Sequence, residues 1–198
     1  MYQHIFHTVD THTAGEPTRV VVAGTPFLQG TMAERRLQLQ ETYDFVRTTL
    51  MHEPRGHGDM FGAIIMEPAH PDADIGVVFM DTGGYLTMCG HGSIGTVVAA
   101  LTTGLVPLKE PTTEVLMDTP AGLVRARVQV ENGHLGQVAV ENVPAFLHRS
   151  GVEIETPSGP VQLDIAFGGN FFALVPAKSL GLEVQTAHLP ELIERSLA

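Results

Sequence analysis

The sequence predicts an α+β fold, on three observations. β-like segments follow one another in long succession from Thr113 to Pro176, helical patterns occur singly between strands rather than alternating with them, and one helix is apolar on most of its circumference. Regular βαβ alternation would have argued for a doubly wound parallel sheet instead. A chain of 198 residues with 43% hydrophobic composition is long enough to bury one sizeable core or two small ones.

The elements follow in order. Ile5 to Val9 and Thr18 to Ala23 are β-like, and the intervening DTHTAGEP reads as an elaborate turn of Asp, Thr, Gly and Pro. Thr31 and Glu34 have capping-box spacing, and Leu39, Tyr43, Val46 and Leu50 fall on one helical face. That spacing predicts one amphipathic helix of about five turns. After the loop HEPRGHGD, Gly62 to Met66 and Ile75 to Met80 are apolar strands separated by PAHPDAD, and the turn Asp81-Thr82-Gly83-Gly84 leads to Tyr85 to Met88. Ser93 to Leu105 is the apolar helix, stopping near Gly104 and enclosed by sheet. Strands TEVLMD, GLVRARVQV, HLGQVAVEN, VEIET, VQLDIAF and FFALVP then alternate with PAG, ENG, PSG and GGN breaks, and His188 to Ala198 forms a last short helix. A first domain is expected over residues 1–145 and the start of a second over 146–198, the latter a thin basis for its own core.

Charge and cysteine usage narrow the function classes. Eleven Lys and Arg against 22 Asp and Glu leave a formal charge of −11, which repels phosphate backbones and anionic lipids and argues against nucleic acid and membrane partners. The single cysteine rules out an internal disulfide framework and suits a reducing compartment. The amino terminus lacks a basic segment followed by an apolar run, so cytoplasmic residence is the expectation.

The chemistry concentrates in Met88 to Gly95, MCGHGSIG, where a strand runs through glycines into the apolar helix. The first N–H groups of a helix lack internal partners and its dipole places positive charge there, so a thiolate at Cys89 is stabilised and its pKa lowered. The same N–H groups suit a substrate carboxylate, and Gly90, Gly92 and Gly95 permit close approach of a ligand. A free cysteine is otherwise most often a small buried hydrophobe. The three glycines also match GxGxxG, but no second parallel strand and crossover is read after them, and the acidic residue expected about 20 positions on is only loosely supplied by Glu110 or Glu114. His91 stands two residues from Cys89, an awkward spacing for a nucleophilic pair on a helix, although a turn conformation leaves some room for one; it is expected to act through its backbone N–H and a polar side-chain contact. The ten histidines show no HxxxH or CxxC spacing, and no metal site is expected.

The blocks DTHTAGEPTRVV, EPRGHGDMFGAI, VFMDTGGYLTMCGHGSIG, DTPAGLVRA, NVPAFL and DIAFGGNFFALVPA, in that order and approximate spacing, resemble the proline racemase family. That set also contains hydroxyproline epimerases and trans-3-hydroxyproline dehydratases. The resemblance implies a diaminopimelate-epimerase-like fold, two similar domains each wrapping a sheet around a central helix. It implies cofactor-independent racemisation of proline, with two cysteines on opposite faces of the α-carbon, one thiolate removing the proton and the opposing thiol returning one. No cofactor is expected. By position, Cys89 resembles the first catalytic cysteine, Gly90 and His91 the residues that bind the substrate carboxylate, and Phe61 an aromatic wall against the pyrrolidine ring. On pattern alone Phe61 is an ordinary core residue, Arg55, His57 and Asp59 a solvated loop with local hydrogen bonds, and His12 and Glu16 turn-stabilising.

The family's second cysteine belongs to a later block, D-R-S-P-C-G-T-G, which these 198 residues lack. The chain is therefore read as the amino-terminal part of a family member, truncated, supplying one thiol of the pair. Proline is the expected small-molecule substrate. The alternatives are 4-hydroxyproline 2-epimerase, trans-3-hydroxyproline dehydratase, a homodimer in which Cys89 of each copy flanks one site, and an inactive fragment that at most binds a proline-like ligand.

Overall fold

The computed structural model describes residues 4–157 and 159–197. Ser158 in the PSG break and Ala198 of the tail helix lie outside them, as do residues 1–3. The chain divides into two compact units, Met1–Val143 and Pro144–Ala198.

The first unit holds β1 (His7–Thr13), β2 (Glu16–Ala23), α1 (Met32–Thr42), α2 (Phe45–Met51), β3 (Phe61–Met66), β4 (Ile75–Asp81), β5 (Tyr85–Leu86), α3 (Gly90–Thr102), β6 (Thr112–Thr119), β7 (Gly122–Glu131) and β8 (His134–Glu141). Among the described residues its eight strands form one mixed sheet in the order β1-β2-β3-β4-β6-β7-β8, with β5 attached to β4. The architecture is α+β as expected, and α3 is the central helix: it touches β1 and β2 near one end of the sheet and β7 and β8 at the other. Only a sheet that curls around the helix can present both ends to it. Helices α1 and α2 cover the opposite face, where Met32, Leu39, Val46, Leu50 and Met51 pack with Val21, Ile64, Val78 and Met80. Covered on both faces, β3 and β4 read as unbroken apolar runs. The flanking β7 alternates instead, burying Val124, Ala126, Val128 and Val130.

Three expectations are corrected. The DTHTAGEP segment is strand nearly throughout. The hairpin turns on Ala14 and Gly15 alone, both left-handed (φ 52° and 97°), as a tight hairpin requires. Asp10 sits opposite Arg19 in the ladder and forms two hydrogen bonds with it, at 2.8 and 2.9 Å, so a turn-like residue serves as a cross-strand ion pair. The long helix is two helices. Its capping box is present, Thr31 Oγ1 accepting from Glu34 N and Glu34 Oε2 accepting from Thr31 N, but α1 stops at Thr42 and the chain restarts after Asp44. Finally, a parallel partner does follow the glycines: β6 pairs with β4 through Ile75 and Met117, with α3 between them in sequence.

The second unit carries β9 (Phe146–Thr156), β10 (Gly159–Phe167) and β11 (Phe171–Leu174) in an antiparallel sheet ordered β11-β10-β9. Two short 3₁₀ turns and α4 (Leu189–Leu197) follow. Leu163 and Leu182 are the only buried hydrophobic residues among its described residues, whereas Phe146, Phe171, Phe172 and Leu174 are each at least half exposed.

Candidate active site at the amino terminus of the central helix

Cys89 is the N-cap residue of α3, with extended backbone (φ −148°, ψ 132°), and its side chain is half-buried. Ser93 N donates to the Cys89 carbonyl at 3.0 Å and Ser93 Oγ donates to it at 2.7 Å, which fixes the first turn. The turn is also held from β1, where Thr13 Oγ1 donates to the His91 carbonyl at 3.2 Å.

The sulfur lies 3.2 Å from Nδ1 of His91. The contact is the polar one expected of His91, and the i, i+2 spacing does not forbid it, for a clear reason. Helical spacing rules apply to residues with helical φ and ψ, and Cys89 stands outside the helix, so its side chain folds back over the first turn. In this contact either the thiol donates to Nδ1 or a protonated ring donates to the thiolate. The other ring nitrogen, Nε2, is buried without a partner. The His91 ring packs on Phe61 with centroids 4.5 Å apart and planes tilted by 60°. Phe61 is buried and continues to Phe79, 6.2 Å away.

The expected lowering of the thiol pKa is also corrected. Burial pushes the Cys89 thiol up, and this outweighs the backbone N–H groups of Gly92 and His91, which pull it down. The carboxylates of Glu16 and Asp81 raise the thiol further. They lie 73 and 8 positions away from Cys89 in sequence, and the hairpin and the β4–β5 turn bring them near, which local spacing does not reveal.

The three glycines divide by role. A Cβ on Gly92 would stand 2.6 Å from the Phe61 ring, and one on Gly95 2.5 Å from Thr11 Oγ1, whereas one on Gly90 would meet nothing within 4 Å. Gly92 and Gly95 thus serve close packing of α3 on the sheet, and of the three only Gly90 is open to an approaching molecule. Other candidates make local hydrogen bonds. His12 Nδ1 accepts from Gly15 N, Asp59 N donates to His57 Nδ1, and Arg55 Nε donates to the Thr49 carbonyl. Among the described residues, no group of three or more His, Cys, Asp or Glu is placed to hold a metal ion, and no helix is long and apolar enough to cross a membrane.

Comparison with known proteins bears on this geometry. The family model described as proline racemase matches residues 8–198. The chain is 48% identical to a proline racemase of Clostridioides difficile over 99% of its own length and 59% of that protein's. It is 50% identical to a proline racemase of Acetoanaerobium sticklandii (94% and 56%), and 46% identical to a 4-hydroxyproline 2-epimerase of Streptosporangium roseum (99% and 60%). Among solved structures, the hydroxyproline epimerase of Agrobacterium vitis with bound trans-4-hydroxy-L-proline superposes with a TM-score of 0.89 at 31% identity, over 96% of this chain and 57% of that one. The chain thus spans 56–60% of the length of these curated relatives. Its curled sheet around a central helix is the diaminopimelate-epimerase-like fold. With a family match over nearly all its residues, and relatives close to half identical, the chain belongs to the proline racemase family.

Proposed function

We propose that this chain supplies Cys89 as one acid/base of a cofactor-independent racemase acting on proline. The observation that carries the reading is the Cys89 Sγ to His91 Nδ1 contact of 3.2 Å at the amino terminus of α3, in a chain related over nearly its whole length to proteins named proline racemase. An α-proton is too weakly acidic to be removed without a positioned base and help for the developing negative charge. Cys89 is the base, with His91 able to take or return the thiol proton. The helix end, with its unpaired N–H groups and positive dipole, receives the substrate carboxylate near Gly90 and His91. Phe61 and His91 together form an aromatic surface against the ring. Inversion requires a second proton donor on the opposite face of the α-carbon. This chain has one cysteine, so it provides one side of that pair.

A raised thiol pKa fits the role. A thiol whose ionisation is disfavoured by burial holds its proton more firmly and is the stronger base once ionised. A second reading, 4-hydroxyproline as substrate, is favoured by the relatives named 4-hydroxyproline epimerases, which are nearly as similar.

The test is exchange of the Cα proton of L- and D-proline, and of trans-4-hydroxy-L-proline, in D₂O followed by proton NMR. Exchange is expected with the wild-type chain and is expected to fall by at least about 10²-fold in Cys89→Ser. Equal exchange by the Ser variant would sink the assignment. Calorimetric heat with pyrrole-2-carboxylate, a planar mimic of the deprotonated substrate, without exchange by either form would instead identify a fragment that binds a proline-like ligand.

A further inference from the structure

We propose that Arg47 and His52 are positioning residues for Cys89, clamping the Asp81–Gly84 turn from which the chain runs into the site. The proposal rests on Cys89 acting as the acid/base.

Arg47, on α2, has a side chain only 11% exposed, and burying a guanidinium is costly unless its donors are used. They are used in an unusual way. Asp44 stands at the N-cap of α2 but makes no capping hydrogen bond to its own helix; its two carboxylate oxygens instead accept from Arg47 Nε and Nη2 at 2.7 and 2.9 Å. That fork orients the guanidinium, and the remaining nitrogen, Nη1, donates to the Thr82 carbonyl at 2.6 Å and the Asp81 carbonyl at 3.3 Å. His52, just past the end of α2, places Nε2 2.9 Å from the same Thr82 oxygen. A carbonyl can only accept, so Nε2 carries the hydrogen. The 3.5 Å approach of His52 Nε2 to Arg47 Nη1 is then two donors sharing one acceptor.

The turn does not need this clamp to close. Asp81 Oδ1 already accepts from Gly83 N and Gly84 N at 2.7 Å each, and the Asp81 N–H donates to the Gly84 carbonyl at 2.9 Å. The clamp from α2 therefore sets where the turn sits rather than what shape it has. Position matters on both sides of it. Asp81 is the ladder partner of Phe61, whose ring packs on His91, whose Nδ1 meets the sulfur. On the other side the chain leaves Gly84 along β5 and reaches Cys89 five residues later. The charged and titratable groups facing the thiol are Glu16 from β2, Asp81 from the end of β4 and His91 from α3, so a shift of the turn changes both the setting and the electrostatics of the sulfur.

The experiment compares wild type with His52→Gln, His52→Leu and Arg47→Lys. His52 is exposed, so both of its variants should fold, and Gln keeps an N–H donor that Leu lacks. The iodoacetamide alkylation rate of Cys89 is followed from about pH 6 to pH 10, beside thermal unfolding and proline α-proton exchange. Freeing the turn lets the Asp81 carboxylate, which raises the thiol, move away from the sulfur. His52→Leu and Arg47→Lys should therefore lower the alkylation midpoint by about half a pH unit, roughly threefold faster reaction near neutrality. Exchange in the same variants should fall in kcat at unchanged KM, and His52→Gln should match wild type in both readouts. The proposal is overturned if His52→Leu titrates like wild type, or if His52→Gln behaves as His52→Leu does. Alkylation needs no turnover, so a failure of the acid/base reading itself is seen separately, as equal exchange by wild type and Cys89→Ser.

Discussion

Cys89 shows how a single backbone conformation decides the chemistry of a side chain. Its position before a glycine-rich helix start is visible in the sequence, and the electrostatics of a helix terminus alone would lower its pKa. Burial and the anionic neighbours Glu16 and Asp81 act the other way and prevail. The alkylation midpoint of Cys89 in the wild-type chain is therefore expected above that of a free cysteine in an unfolded peptide; a midpoint below it would contradict the burial account. The sign also fixes a stability effect. Because the folded thiol ionises at higher pH than the unfolded one, its contribution is complete below the unfolded pKa and is lost as pH rises through the folded value. Cys89→Ala should accordingly lose less stability than wild type on the alkaline side, measured as urea midpoints across that range.

Element-scale packing assigns different jobs to residues that look alike in sequence. Gly90, Gly92 and Gly95 form one motif, yet only the last two touch the sheet. Gly95→Ala would force a methyl group to within 2.5 Å of Thr11 Oγ1 and 3.0 Å of Thr18 Cβ. It is expected to destabilise the chain by about 1–3 kcal/mol, read as a lower urea midpoint. Gly90→Ala meets no neighbour and should leave that midpoint nearly unchanged while slowing proline exchange, if the substrate carboxylate approaches there. At the other helix, Thr31→Ala removes the cap of α1 and should cost about 0.5–2 kcal/mol, whereas Asp44→Ala should act through Arg47, since Asp44 does not cap α2. The break between α1 and α2 escaped the hydrophobic pattern because Leu39, Val46 and Leu50 face the same core whether the helix is continuous or bent.

Across the whole molecule, burial is distributed unevenly between the two units. The core lies in residues 4–143, while Leu163 and Leu182 are the only buried hydrophobic residues among the described residues beyond Pro144. A fragment of residues 1–143 is therefore expected to unfold in one cooperative thermal transition, and one of residues 144–198 to show none; cooperative melting of the latter would refute this division. The sequence by itself determined the α+β class, the capping box of α1, the buried central helix and the place of Cys89 at that helix's start, because hydrophobic period and turn chemistry are local properties. Only the tertiary structure decided that DTHTAGEP is a hairpin, since its register depends on Arg19 across the ladder. It also decided that His91 reaches the sulfur, that Glu16 and Asp81 bear on it, and that a buried Arg47 donates to the Asp81 and Thr82 carbonyls. Those relations join residues distant in sequence or depend on one non-helical backbone conformation, and neither distance nor conformation is written in local spacing.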